Sequence, residues 1–144
     1  MKQKILISGL LLVGLLLIVG CSGKSSAPGP DGVVTIPIEQ VSETVQKYTY
    51  DANGVAVTYF AVIGSDGNVR TAFDACDVCG GSKGYEQQGT DIKCRNCGKV
   101  FRIDGLGTKN KGYGCWPSFL SHYIEDGNIV ISKAELAAGA SRFV

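Results

Sequence analysis

The sequence predicts a mainly β domain, a β-rich α+β fold: an antiparallel meander carrying a rubredoxin- or zinc-ribbon-like cysteine hairpin. Three observations lead there. Runs such as Val55–Ile63 alternate or are continuously apolar, and Gly/Asn/Asp turns separate them. No long stretch has helical apolar spacing. Two C-x-x-C-G corners, Cys76–Gly80 and Cys94–Gly98, leave 14 residues between Cys79 and Cys94.

The elements follow in chain order. Lys2 and Lys4 precede an apolar run from Ile5 to Val19, broken by Ser8, Gly9 and Gly14. That has the length of a secretory h-region and falls short of a comfortable membrane span. The run closes Leu17-Ile18-Val19-Gly20-Cys21, which resembles a bacterial lipobox. By that resemblance residues 1–20 are a lipoprotein signal peptide and Cys21 becomes the lipidated first residue, anchoring the chain outside the cytoplasmic membrane. The alternative is an uncleaved N-terminal helix with an incidental cysteine. Residues 21–32 are rich in Ser, Gly and Pro and read as a flexible tether. The folded domain spans 33–144.

Val33–Val41 alternates with Pro37 inside it, so it is read as an edge strand, since proline has no N–H for a ladder. Ser42–Gln46 suggests one helical turn. Lys47–Tyr50 and Val55–Ile63 are joined by Asp51-Ala52-Asn53-Gly54, a hairpin signal. Ser65-Asp66-Gly67-Asn68 is a second turn before a strand over Val69–Ala75. Val55, Val57, Tyr59, Ala61 and Ile63 share one face, and Ala56, Thr58, Phe60 and Val62 the other, so the middle strand is expected to be covered on both sides. Asn128–Ser132 is a further strand. Ala134–Ala138 fits a short helix with Ser132 as N-cap, Glu135 in its first turn and Gly139 as its stop.

The chain has 144 residues, 44% apolar and 19% charged, with a formal charge of +1. That excludes a disordered tail, a collagen-like or coiled-coil rod, and a nucleic-acid binder with its clustered basic excess. Losing residues 1–20 takes two of the 14 basic residues against 13 acidic ones, leaving −1. No polybasic patch would then assist the lipid. A lone His122 argues against a Ser-His-Asp triad or a two-His metal site and reads as structural.

Cys76, Cys79, Cys94, Cys97 and Cys115 remain after Cys21. Two residues between cysteines let both sulfurs face one side of a tight loop. The following glycine permits positive φ, so that backbone N–H groups can turn toward sulfur. Two such corners supply four soft ligands to Zn²⁺, a single iron or an iron–sulfur cluster. Disulfides are the rival in an oxidising space, but five thiols leave one over. Gly80 and Gly98 stand where c-type haem attachment needs His, and no βαβ pattern suggests a thioredoxin site. Cys115 could replace a corner sulfur, complete a larger cluster, or be a small buried hydrophobe.

Specific runs then resemble a known family. Arg70-Thr71-Ala72-Phe73-Asp74-Ala75-Cys76-Asp77-Val78-Cys79 is similar to its opening R-x-A-F-D-A-C-D-x-C. Lys83-Gly84-Tyr85 resembles its K-G-Y step, and Cys94-Arg95-Asn96-Cys97-Gly98-Lys99-Val100-Phe101 its C-R-N-C-G-x-x-F corner. Gly114-Cys115-Trp116-Pro117 resembles its G-G-C-N-P turn, with Tyr113 and Trp116 replacing the usual Gly and Asn, and Asn128–Ile131 resembles its closing strand. This is the membrane iron–sulfur FtrD-like family, formerly a domain of unknown function, and the likeness covers roughly residues 45–144. It implies an iron–sulfur centre that moves electrons, ligated by Cys76, Cys79, Cys94, Cys97 and Cys115, and a redox or iron-transport partner in the membrane.

The remaining residues divide similarly. Asp74 and Asp77 could tune a centre by their charge; capping of loop N–H groups is the preferred reading. Tyr85, Phe101, Tyr113, Trp116 and Phe119 form an apolar collar or ordinary core. Lys109-Asn110-Lys111 reads as a solvated loop. No base pairs with a thiol, so the expectation is an electron carrier and not an enzyme. The rivals are a non-redox zinc-ribbon lipoprotein and an extracytoplasmic thiol–disulfide protein.

Overall fold

The computed structural model describes residues 32–79, 83–107 and 115–144. The signal segment 1–20, the lipidation position Cys21, nearly all of the tether, and Gly80, Lys109–Lys111, Tyr113 and Gly114 lie outside them.

Asn53 and Gly54 both take left-handed φ, +54° and +88°. This is the twist that a two-residue hairpin needs, and few residues adopt it as readily as this pair. It locks β2 (Gln46–Ala52) to β3 (Val55–Ile63) with Ala52 opposite Val55. Gly54 N–H donates to Asp51 Oδ1 at 2.9 Å across the turn. Asp66 organises the second turn by accepting from Asn68 N–H, 3.1 Å. The Arg70 guanidinium clamps both Asp66 oxygens, at 3.0 and 2.7 Å, and also reaches the Asp104 carbonyl. β4 (Val69–Phe73) thus returns antiparallel to β3, completing the expected meander β2-β3-β4.

β3 separates two apolar cores. Val57, Tyr59 and Ala61 point into one with Phe73, Ile129, Ile131, Leu120 and Leu136. Phe60 and Val62 point into the other with Tyr85, Ile92, Ile103, Leu106 and the buried cysteines. The expectation of a strand covered on both faces holds from Phe60 onward, while Ala56 at its start is exposed.

The first core is closed by a second sheet, β1-β9-β8, and a short helix. β1 (Val33–Pro37) lies at its edge against β9 (Asn128–Ser132), with Val34 opposite Ile131. Pro37 ends the strand sooner than expected, and Ile38–Gln40 forms a 3-10 turn. The helical turn expected at Ser42–Gln46 is absent. The Ser42 hydroxyl takes Thr44 N–H at 3.2 Å, a local turn that competes with helix, and Gln46 already begins β2. β8 (Tyr123–Glu125), which the sequence reading lacked, pairs with β9 around Asp126-Gly127. All three of its residues are exposed, so it carries no alternation to read.

The helix α1 (Lys133–Ala138) follows β9 directly. Ser132 occupies the N-cap position without a side-chain cap bond, and the Glu135 carboxylate, which would complete a capping box, accepts instead from the backbone N–H and hydroxyl of Ser121. Gly139 does not stop the chain by turning left-handed: its φ is −73°, and a 3-10 turn continues through Arg142. Glycine is required there for space, since a Cβ would enter the ring of Phe73. Phe73 is 2% exposed and has little freedom to retreat. Gly139→Ala should therefore cost roughly 1–3 kcal/mol as overpacking. Chemical denaturation should show a lower midpoint at unchanged slope; an unmoved midpoint would mean that Phe73 repacks freely.

Candidate metal centre

The third sheet is the cysteine ribbon. β5 (Tyr85–Gln88) and β6 (Asp91–Cys94) form a hairpin, and β7 (Val100–Arg102) pairs with β6, Ile92 opposite Phe101. The connection from β6 to β7 is itself the second corner. Cys94 N–H donates to Lys99 O at 2.9 Å, and Gly98, at φ +75°, donates its N–H back to Cys94 O at 2.9 Å. The glycine has the expected left-handed φ, but its N–H closes the loop onto a carbonyl. Direct hydrogen bonding to sulfur is seen at the first corner, where Cys79 N–H donates to Cys76 Sγ at 3.0 Å.

Three separate segments must meet for the sulfurs to meet. The first corner leaves the end of β4. The ribbon is tied to that end through Asp74, which accepts Tyr85 N–H at 2.8 Å and Lys47 Nζ at 2.5 Å; the same ammonium reaches Tyr85 O at 2.8 Å. Gly84, at φ +66°, lies so close to the Asp74 carboxylate that any Cβ would collide with it. The segment bearing Cys115 runs beside β4: Phe73 N–H donates to Ser118 O and Ser118 N–H to Ala75 O, both at 2.9 Å, and Ala72 bridges to Phe119. Tyr85 Oη then donates to Cys115 O at 2.6 Å.

The outcome is a group of four sulfurs, Cys79, Cys94, Cys97 and Cys115, all within 4.8 Å of one another. All five cysteines of the domain are free, and Cys79 Sγ lies 2.8 Å from Cys115 Sγ. Cys76 is adjacent, joined to Cys79 by its N–H···S bond, but falls outside that group. Cys76, Cys94 and Cys115 are buried, Cys79 is half-buried and Cys97 is exposed.

The thiols differ in acidity. The Lys99 backbone N–H and, next, the Cys115 side chain hold Cys97 down to about 7. Cys79 is pushed well above the usual thiol range, first by its contact with Cys115 and then by burial. Burial is the largest influence on Cys76 and raises it, but the N–H groups of Cys79 and Val78 together with neighbouring side chains outweigh it and leave the thiol below its ordinary value. Burial and the nearby Cys76 raise Tyr85, so its hydroxyl stays a donor.

Neighbouring residues settle into structural roles. Asp74 is a buried anchor that takes the Tyr85 N–H, as the capping reading expects, whereas Asp77 departs from it and accepts side chains instead, Ser118 Oγ at 2.9 Å and Arg142 Nε at 2.8 Å. Phe101 and Trp116 pack with ring centroids 4.7 Å apart against the second core, and Tyr85 lies within it. His122 Nδ1 is 2.8 Å from Thr71 Oγ1, with no cysteine contact among the described residues. Sequence reasoning missed the clamp by Lys47 and the Tyr85 hydroxyl. Neither lies near a cysteine in a way that spacing could signal.

Soft thiols converging without disulfides, with backbone N–H groups donated to sulfur, form a donor set that fits a thiolate-held metal or iron–sulfur centre. Residues 41–143 match the family described as "Membrane iron-sulfur containing protein FtrD-like". The chain belongs to that family. Its fold is the expected β-rich one, and its cysteine cluster could hold a metal. No curated protein and no solved structure matches the chain. Among the described residues of this FtrD-like protein, no helix is long and apolar enough to cross a membrane.

The acidity order predicts reactivity, because the thiolate is the nucleophile. In chelator-treated, reduced protein, iodoacetamide should modify Cys97 first, at a rate that climbs as pH rises through about 7. Cys79 should lag. Peptide mass spectrometry across pH 5–9 reads the order, and uniform labelling would contradict it.

Proposed function

We infer that this FtrD-like protein is a lipid-anchored, extracytoplasmic electron carrier whose redox metal centre is held by its cysteines and serves iron transport. The observation that carries the reading is the convergence of Cys79, Cys94, Cys97 and Cys115, with Cys76 beside them, at a site buried at Cys94 and Cys115, half-buried at Cys79 and exposed at Cys97. Cys79, Cys94, Cys97 and Cys115 would hold a redox metal that supplies one-electron chemistry, and their hydrogen-bonded, largely buried surroundings would limit rearrangement on electron transfer. N–H groups directed at sulfur, and the degree of solvent exposure, set its potential. The Cys97 side is the accessible edge, and Val78, next to Cys79 in the chain, and Val100, three residues past Cys97, are exposed large apolar residues. That edge suits transient contact with a redox partner.

The chain's own groups support carriage over catalysis. Among the described residues no imidazole touches a thiol: the single histidine contacts Thr71. A nucleophilic cysteine needs such a base or an equivalent activator. The lipobox-like run ending at Cys21 supports membrane attachment by acyl chains, and the family description agrees with membrane association.

Two measurements test this reading. Protein purified without oxygen should show visible sulfur-to-metal charge-transfer bands that change on reduction and recover on reoxidation. Colourless, redox-silent protein would overturn it. Cys21→Ser should move the chain from the membrane pellet to the soluble fraction and abolish fatty-acid labelling; a variant that still sediments with membranes would exclude lipid as the anchor.

A further inference from the structure

The spacing of the sulfurs bears on what kind of centre they hold. A tetrahedral ion with metal–sulfur bonds of about 2.3 Å places its four sulfurs about 3.8 Å apart along every edge. Cys79, Cys94, Cys97 and Cys115 keep every sulfur pair within 4.8 Å. The widest pair is thus within about 1 Å of the tetrahedral edge. The Cys79–Cys115 pair, at 2.8 Å, has to open by a similar amount. Side-chain rotation alone covers such shifts.

A multi-iron cluster demands more. Its thiolates bind different irons with inorganic sulfide between them, so the sulfurs stand apart across the whole inorganic core. Two of the four cysteines resist such spreading. Cys94 is 2% exposed, paired with Tyr85 in the ribbon, and held at both backbone groups by Lys99 and Gly98. Cys115 is 5% exposed, with its carbonyl on Tyr85 Oη. Cys76 stands outside the group of four, its sulfur accepting Cys79 N–H at 3.0 Å.

We propose that the site takes one metal ion, held tetrahedrally by Cys79, Cys94, Cys97 and Cys115, with Cys76 a hydrogen-bonded bystander. This departs from the multi-iron centre that the family description suggests and from a pairing of the two C-x-x-C corners alone. It rests on the reading that these thiols hold a metal.

The test uses the full chain, solubilised in detergent and purified without oxygen, and then offered ferrous iron with sulfide or zinc alone. Metal per chain and acid-labile sulfide are measured. The expected result is one ion per chain and no sulfide, with Cys76→Ser keeping its ion and Cys94→Ser losing it, both folded by circular dichroism. Two or more irons per chain with matching sulfide would overturn the proposal, as would a folded Cys76→Ser that loses metal as fully as Cys94→Ser. Should either variant misfold, the wild-type stoichiometry decides alone. A single ion without reversible redox chemistry would uphold the proposal while ending the electron-carrier reading. A redox-active cluster would do the reverse, and failure to bind any metal would end both.

Discussion

The buried carboxylate of Asp74 is the constraint around which the site is assembled. A carboxylate out of water must be paired and hydrogen-bonded or it costs several kcal/mol. Asp74 meets that demand with groups from two other parts of the chain, Lys47 Nζ from β2 and Tyr85 N–H from β5. Satisfying it brings the end of the meander and the start of the ribbon together. Gly84 gives up its side chain so that the carboxylate can sit against the backbone. The first cysteine corner begins two residues after Asp74 and the second corner lies opposite Tyr85, so the same contact that solves a solvation problem also makes the corners face each other.

β3 has the complementary role. Being apolar on both faces, it lets the ribbon stand on one side while β1, β9 and α1 cover the other. The sulfurs therefore belong to a core with Phe60, Val62, Ile92 and Leu106 and are not appended to a surface loop. Packing at that density limits how far Cys94 and Cys115 can move. The geometry of the four thiols is thereby a property of the domain.

Much of this was legible in the residues. Asn53-Gly54 announced its hairpin because the turn needs left-handed φ twice, and the doubled C-x-x-C-G pattern announced convergent sulfurs because tight loops can do little else with them. What was illegible shared one cause, dependence on partners distant in sequence. β8 is exposed along its length and shows no period. The capping box at Ser132 does not form, and Glu135 accepts from Ser121 instead. Cys115 joins Cys79, Cys94 and Cys97 through contacts distant in sequence, among them a bridge between Ala72 and Phe119, 47 residues apart, which no local pattern encodes. Membership of the group follows the same pattern: the fourth place that corner spacing would give to Cys76 is held by Cys115, whose Sγ is 2.8 Å from Cys79 Sγ.

That substitution has a chemical consequence. Two free thiols 2.8 Å apart face two mutually exclusive ends. If an oxidant takes a pair of electrons from them, a bridge forms, two protons leave, and two of the four donors are lost to any metal. If a metal arrives first, both sulfurs are committed as thiolates and the bridge is closed off. In an oxidising setting, where disulfides persist, the order of these events would decide whether the pair stays available to a metal. Burial of Cys115 and the raised pKa of Cys79 hold the pair protonated and slow to attack a disulfide oxidant, and a metal must displace those same protons to bind. Cys97, exposed and the more acidic, is the most accessible of the four sulfurs, and the remaining three lie within 4.8 Å of it.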